Sequence, residues 1–176
     1  MPFTSSVQTI VKAKRKPAPP KEKRIFEKYK AQSLNKLNIS LGEAIGRYEQ
    51  KLIATKENPL ECEGSDGVKY PIEGATNSLN WTIDALGETV DDDELKVKLT
   101  AGQKAVPLLG QGTAFEYVKG SDLVSYMKEL IEYVEGLTKD SADGKVYHDI
   151  AIEMAKPKTG EAKNYKYDSE KDQYVK

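Results

Sequence analysis

The chain has 176 residues, of which 38% are hydrophobic and 31% are charged, with a single histidine and a single cysteine. This length predicts one domain with appendages, or at most two small domains, around a modest core. One cysteine excludes an internal disulfide, one histidine disfavours a zinc site, and the lack of an apolar run of about 18 residues argues against a membrane span. The first residues lack the pattern of a secretory signal, so we expect the protein to fold in a cytoplasm.

The charges are distributed unevenly along the chain. Residues 1–30 carry a net charge of +7, whereas residues 31–176 carry a net charge of −8. A basic arm on an acidic body is typical of an interaction tail, which could contact nucleic acid or the acidic body of a neighbouring subunit.

The basic arm, residues 1–23, is predicted to be extended. Pro17, Pro19 and Pro20 fix the backbone and remove hydrogen-bond donors, and the like charges repel, so the arm has little means of packing on itself. We therefore expect a partner to order it. The expected partner-binding residues of the arm and its junction are Lys12, Lys14, Arg15, Lys16, Lys21, Lys23 and Arg24.

Residues 24–58 are predicted to form a helical segment, because apolar residues recur there at intervals of three or four. Gly42 and Gly46 each weaken the helix by about 1 kcal/mol relative to alanine, and Asn38-Ile39-Ser40 is a candidate break. The apolar stripe is expected to pack on another helix of the same chain or to associate with other copies in a bundle. The stripe consists of Leu34, Leu37, Leu41, Ile45, Tyr48 and Leu52.

Residues 64–156 are predicted to form a small α+β domain, in which helices pack on a small antiparallel sheet. It opens with a period-two run that puts Val68, Tyr70 and Ile72 on one face of a strand. A short helix is expected over residues 75–86. Its expected inner face is Leu79, Ile83 and Leu86.

An acidic turn and further strands follow in the sequence. Residues 91–94 lack the ligand spacing of a calcium loop and are predicted to be a solvated turn. Leu95, Val97 and Leu99 alternate with lysines, which indicates an amphipathic strand. Residues 106–109 could continue the sheet. A last alternating strand is expected at Thr113, Phe115 and Tyr117.

Two helices complete the predicted domain. The first carries the strongest apolar stripe of the sequence and is expected to lie across the sheet. That stripe is Leu123, Met127, Leu130, Val134 and Leu137. The second is expected over residues 145–155, with Val146, Ile150 and Met154 on one face and with His148 as a surface or partner-contact residue.

The C-terminal segment, residues 157–176, is predicted to be a polar tail. We expect either a short hairpin or an extended arm that needs the surface of a neighbour. Its tyrosines, Tyr165, Tyr167 and Tyr174, are expected to bind that partner.

The sequence contains no catalytic signature. A Ser–His arrangement has little support with one histidine, and the two glutamates that flank Cys62 disfavour a reactive thiolate. The many acidic residues single out no pair. We therefore predict a protein that is not an enzyme, with no catalytic, cofactor-binding or metal-binding residues and no small-molecule substrate.

The order of motifs in residues 65–137 points to a family. A Gly67–Tyr70 strand is followed by a helix led by Asn77-Ser78, by strands near 95–99 and 113–117, and by a helix after Gly120-Ser121-Asp122-Leu123. This order resembles a small uncharacterised domain of tail-fibre-associated proteins of tailed bacteriophages, in which a long N-terminal helix often comes first. The resemblance implies a place in a virion and carries over no functional residues. The arm, the insertion at 91–94 and the tyrosine tail depart from the family pattern.

Together these observations predict a structural component of a tailed-bacteriophage virion, in the tail, baseplate or tail-fibre attachment region, made in the host cytoplasm. The expected partners are other virion proteins and copies of itself, reached through the terminal arms. Non-specific nucleic acid is left open as a partner, and no membrane is expected. The alternatives are a tail-fibre assembly chaperone outside the virion and a small nucleic-acid-binding regulator that uses the basic arm.

Overall fold

A computed structural model of the chain describes residues 24–51, 61–63, 65–71, 79–158 and 160–176. Within these ranges the fold is α+β, as predicted, with three α-helices and small antiparallel sheets. The helices are α1 (Ile25–Ala44), which continues as a π-helical turn (Ile45–Glu49), α2 (Gly120–Glu135) and α3 (Ala142–Ala155). The strands are β1 (Glu61–Glu63), β2 (Lys69–Pro71), β3 (Trp81–Ala85), β4 (Glu94–Lys98), β5 (Thr100–Ala101), β6 (Lys104–Ala105), β7 (Phe115–Lys119), β8 (Lys166–Asp168) and β9 (Gln173–Val175).

The core is formed by all three helices and the inner face of the sheet with strand order β3-β4-β7. Helix α1 packs against α2 and α3, so the apolar stripe of the helical segment is covered within the chain where the structure describes it. The stretch Asn38–Ser40 does not break α1. Asn38 and Ser40 are buried against the rest of the chain, and the carbonyl of Ser40 accepts from the indole of Trp81. The fully buried side chains include Leu37, Leu41, Leu95, Leu99, Leu123, Met127 and Tyr147.

The alternation predicted for β4 is confirmed, because Leu95 and Val97 are fully buried. Strand β4 pairs with β3 on one side and with β7 on the other, and both pairs are antiparallel. The register places Lys96 between Thr82 of β3 and Tyr117 of β7. Residues at matching positions point to the same side of a sheet, so one face of β3-β4-β7 packs on the core and the other faces solvent. The inner face also carries the half-buried Glu116, which pairs with Val97.

The helix predicted over residues 75–86 is wrong for the part that the structure describes. Residues 81–85 form strand β3, and Leu86 is 80% exposed rather than buried. Trp81, Thr82 and Ile83 are residue types that favour strands, and pairing with β4 provides hydrogen-bond partners for the backbone of β3. The indole of Trp81 also donates to the carbonyl of Ser40 at 2.9 Å. Residues 75–78 lie outside the described residues.

The smaller strands differ from the prediction in extent. Residues 69–71 do form a strand, β2, which pairs with β1, whereas Val68 is half-exposed and Ile72 lies outside the described residues. The sheet is not continued by residues 106–109. Instead β5 and β6 form a short hairpin and Leu109 makes a single bridge to Thr113.

The acidic turn is mostly solvated, as predicted, with one exception. Asp91 and Asp92 are exposed, but Asp93 is buried. Its carboxylate accepts from the hydroxyl of Tyr48 at 3.1 Å, and its carbonyl accepts from the backbone N–H of Gly120 at 2.9 Å. Asp93 therefore joins the turn to α1 and to the start of α2.

Helix α2 buries four residues of the predicted stripe, namely Leu123, Met127, Leu130 and Val134. Leu137 is buried as predicted, but it lies after the end of the helix at Glu135.

The third helix is confirmed as α3, but the face predicted for it is wrong at Val146, which is exposed. Ile150 and Met154 are half-buried, and Ile150 packs against the core. The face that α3 buries carries Tyr147, His148 and Ala151. The reason is that the polar groups on this face find partners, since the hydroxyl of Tyr147 lies 2.6 Å from that of Ser33 and His148 pairs with Asp172. His148 is accordingly a buried residue and not the predicted surface residue.

The sequence left a hairpin and an extended arm open for the C-terminal segment, and the structure shows the hairpin. Strands β8 and β9 pair antiparallel over residues 166–175. The surface that covers the hairpin belongs to the same chain, because the carbonyl of Asp172 accepts from Ile25 of α1 and the hydroxyl of Tyr174 donates to Ile152 of α3. The basic arm, residues 1–23, lies outside the described residues.

Candidate functional site

The predicted partner-binding residues fall into two groups. Lys12, Lys14, Arg15, Lys16, Lys21 and Lys23 lie outside the described residues. Arg24 is exposed directly before α1. Of the tyrosines, Tyr165 is half-buried, and the hydroxyls of Tyr167 and Tyr174 donate within the chain. The partner-binding role of all these residues stays a prediction.

Asp172 is the centre of a buried polar cluster between α1, α3 and the C-terminal hairpin. It is fully buried and has a left-handed backbone with φ of +51°. One carboxylate oxygen accepts from the backbone N–H of Phe26 at 2.8 Å. The other lies 2.5 Å from Nε2 of His148 and accepts from Tyr167 at 2.7 Å. Arg24, which precedes α1, makes no side-chain cap, so Asp172 caps this helix from 146 residues away.

The electrostatics of this cluster follow from its hydrogen bonds. Burial alone would raise the pKa of Asp172, but the donors Phe26, His148 and Tyr167 outweigh burial and hold the pKa below its usual value. Burial and the neighbouring Asp172 raise the pKa of Tyr167. A histidine–carboxylate pair can orient a catalytic base, but here His148 and Asp172 are enclosed by their own chain. The cluster serves as a clamp between the two ends of the described chain.

Glu43 is a second buried carboxylate, with the opposite environment. It is 7% exposed, and its Oε1 atom has no hydrogen-bond partner within the part of the chain that the structure describes. Burial raises the pKa of Glu43 to about 7, and the charge of Arg47 only partly offsets this effect. The folded chain therefore holds a proton on Glu43 at pH values where an exposed glutamate is ionised.

An apolar cleft with an acidic rim lies along α2. It has room of about 180 Å³. The hydroxyl of Tyr126 donates to Glu116 at 2.6 Å and that of Tyr133 donates to Asp143 at 2.7 Å, which places two carboxylates at the ends of the tyrosine side chains. Burial and these carboxylates raise the pKa of both phenols, that of Tyr133 to about 12. The residues that line this acidic cleft are Leu108, Leu109, Tyr126, Glu129, Leu130 and Tyr133.

The solvent-facing side of β4 and β7 carries a different set of side chains. Along β4 they are Glu94, Lys96 and Lys98, and along β7 they are Phe115, Tyr117 and Lys119. In the register, Lys98 lies opposite Phe115, Lys96 opposite Tyr117, and Glu94 opposite Lys119. We call this surface the sheet face.

The two aromatic rings of the sheet face are exposed and in contact. Phe115 is 43% exposed and Tyr117 is 47% exposed, although large aromatic side chains usually contribute to cores and interfaces. Their ring centroids are 5.7 Å apart in an edge-to-face arrangement, and Nζ of Lys96 lies 4.2 Å from the centroid of Phe115. Rings and cations thus alternate on one open surface.

Sequence reasoning did not identify the sheet face or the acidic cleft. The alternation of lysines in β4 and of aromatic residues in β7 is visible in the sequence, but only the strand register shows that both sets share the solvent side. The cleft requires residues 108–109 to lie beside α2, which no local pattern indicates.

Among the described residues, no group of histidine, cysteine, aspartate and glutamate side chains is placed to hold a metal ion, and no helix is long and apolar enough to cross a membrane. Comparisons with protein-family models, with curated proteins and with solved structures find no match to this chain.

Proposed function

We propose that the protein is a non-catalytic structural component of a larger assembly, in which the basic arm of one copy docks on the acidic cleft of the next. The observation that carries this proposal is the cleft itself, an apolar groove whose lining and rim supply the carboxylates of Glu129, Glu116 and Asp143. Burial of apolar side chains in the cleft would provide affinity. The opposite charges of the arm and the cleft would raise the rate of association and add specificity.

The arm has the complementary chemistry. Its apolar side chains include Val7, Ile10 and Val11. Directly after them, four of the five residues from Lys12 to Lys16 are cationic. The apolar residues suit the leucine and tyrosine side chains of the cleft, and the cations suit its rim. Exposed Asp122 and Glu132 on α2 extend the acidic surface.

A contact between an arm and a cleft is heterologous, because the two surfaces differ. Such contacts build rings when the rotation closes and filaments when it does not. A ring or a tube of identical subunits is therefore the assembly that we expect. The place in a virion rests on the family resemblance and remains part of the proposal.

A charge-reversal experiment tests the docking of the arm. One variant carries Lys12→Glu, Lys14→Glu and Lys16→Glu, and a second, the cleft variant, carries Glu129→Lys and Asp143→Lys, which leaves Glu116 as the remaining carboxylate beside two cations. We expect each variant alone to associate about tenfold more weakly than the unchanged chain in sedimentation velocity, because the arm and the cleft then carry charges of the same sign. An equimolar mixture should associate again, because each arm then meets a cleft of opposite charge.

The matched control is Glu135→Lys with Asp149→Lys, which reverses one exposed charge on each of the same two helices at positions that do not line the cleft. It should weaken association much less than the cleft variant. A chain that stays monomeric at tens of micromolar, or a mixture that does not recover, contradicts arm docking.

Mass spectrometry of purified particles tests the place in a virion. A structural component is expected at a fixed ratio to the other virion proteins. Absence from the particles, together with presence during assembly, would instead indicate the assembly-chaperone alternative.

A further inference from the structure

We infer that the sheet face binds single-stranded nucleic acid. Proteins that bind single strands combine cations that follow the phosphates with exposed aromatic rings on which bases stack. The sheet face supplies both on two neighbouring strands, with Lys96 and Lys98 beside Phe115 and Tyr117. This inference is independent of the docking proposed above, because the acidic cleft is lined by other residues.

The rings are placed for stacking rather than for packing within the chain. Phe115 and Tyr117 are two residues apart in β7, so both point to the solvent side. Lys96 lies over Phe115 in the free protein, and such a cation–π contact is weak at an exposed site. An incoming base can therefore take the place of the ammonium group, which then remains near enough to meet a phosphate.

The charges indicate where the backbone of the strand would run. At one end of the face, Lys119 lies opposite Glu94, so these charges offset each other. At the other end, the residues of β7 that pair with Lys98 and Lys96 are the aromatic Phe115 and Tyr117 rather than an acidic residue. The nearest exposed acid on β3 is Asp84, toward the Glu94 end. We expect the phosphates to lie at the end formed by Lys96 and Lys98.

The same features favour single-stranded nucleic acid over the alternatives. The bases of a duplex are stacked and paired, so they cannot reach rings that lie on an open sheet. An acidic protein segment would use the lysines but would gain nothing specific from exposed ring faces. The ligand class that uses both is a strand with unpaired bases.

A comparison of two probes isolates stacking from charge. The full chain is titrated with a 12-nucleotide oligothymidylate and with an abasic deoxyribose-phosphate chain of the same length. Lysines of the arm and of the sheet face bind the phosphates of both, so only stacking separates them. We expect the unchanged protein to prefer the oligothymidylate by about tenfold or more.

Two variants decide whether the preference comes from the sheet face. Phe115→Leu with Tyr117→Leu keeps apolar volume and removes the rings, and should bring the two affinities within about twofold. Tyr117→Trp should keep the preference, and the new indole should be quenched on binding, because the native Trp81 is buried and contributes a constant signal. An unchanged protein that binds both probes equally overturns the inference, as does a double-leucine variant that retains the preference.

The lysines have their own test. For single strands the slope of log affinity against log salt changes by about 0.7 for each phosphate contact. Lys98→Gln should lower this salt slope by about that amount. The control Lys128→Gln, at an exposed position of α2, should leave the slope unchanged. Equal slopes for Lys98→Gln and the unchanged chain, or equally effective competition by polyglutamate, would overturn the inference in favour of a protein partner.

Discussion

The cluster around Asp172 and the sheet face are both built from aromatic and charged side chains, yet they differ in where their hydrogen bonds and ring contacts go. In the cluster, Asp172 receives donors from α1, α3 and β8, and all of them belong to the chain. On the sheet face, the rings of Phe115 and Tyr117 touch each other and a lysine while they remain open to solvent.

This difference separates groups that hold the fold from groups that are available to a ligand. A polar group that is buried must be satisfied by its own chain, and its removal therefore costs stability. Exposed rings contribute little to the free energy of folding. Their removal should therefore change stability very little and should weaken ligand binding. Substitutions in the two regions should therefore differ in their effect on the free energy of unfolding.

Asp172→Ala is expected to have the largest effect. It removes the cap of α1 and leaves His148 and Tyr167 without their shared acceptor, which should lower the free energy of unfolding by about 3 kcal/mol. Urea denaturation followed by circular dichroism measures this change. The control Asp149→Ala, at an exposed position of α3, should change it by less than about 0.5 kcal/mol. If the two variants are equally stable, the cluster does not hold the fold.

The two buried carboxylates should change the free energy of unfolding with pH in opposite directions, because their pKa values are shifted in opposite directions. The pKa of Asp172 is lowered in the folded chain, so its contribution is complete above the unfolded value of about 3.9 and is lost as pH falls through the folded value. The pKa of Glu43 is raised to about 7, so the folded chain holds a proton that the unfolded chain releases, and stability should fall as pH rises from about 4.5 to 7.

Denaturation midpoints measured from pH 3 to pH 8 test both signs. Asp172→Asn should remove the loss of stability at acid pH. Glu43→Gln should remove the loss of stability toward neutral pH, which amounts to at most about 3 kcal/mol. A Glu43→Gln variant with the same slope between pH 5 and 7 as the unchanged chain would show that Glu43 is ionised in the fold.

Tyr167→Phe is expected to have an intermediate effect. It deletes one of the donors to Asp172 and keeps the ring that contacts His148 and Tyr174, so the free energy of unfolding should fall by about 1 kcal/mol. A loss as large as that of Asp172→Ala would mean that Tyr167, and not the carboxylate, organises the junction.

The sequence predicts the parts of this molecule that depend on local periodicity. The stripe of α2 and the alternation of β4 follow from apolar spacing alone, because each element buries one face. The partner of His148 lies 24 residues further on, so the burial of a polar helix face could not be read from α3 itself. The same reason hides the sheet face, because the lysines of β4 and the rings of β7 meet only through strand pairing. The sequence predicts a helix in place of strand β3 because Leu79, Ile83 and Leu86 have a helical spacing. The conformation is decided instead by pairing with β4, which is distant from this local pattern.

Phe115→Leu with Tyr117→Leu should have the smallest effect on stability. Leucine keeps much of the apolar contact across β4 and β7, and the exposed rings contribute little to the core, so the free energy of unfolding should change by less than about 0.5 kcal/mol. The same variant should lose its preference for oligothymidylate over the abasic chain. A destabilisation of 2 kcal/mol or more would place these rings with the groups that hold the fold, and the contrast with the Asp172 cluster would then fail. A neutral change in stability with a lost preference would instead show that the chain carries two aromatic sets with separate purposes, one enclosed by its own helices and one left for a ligand.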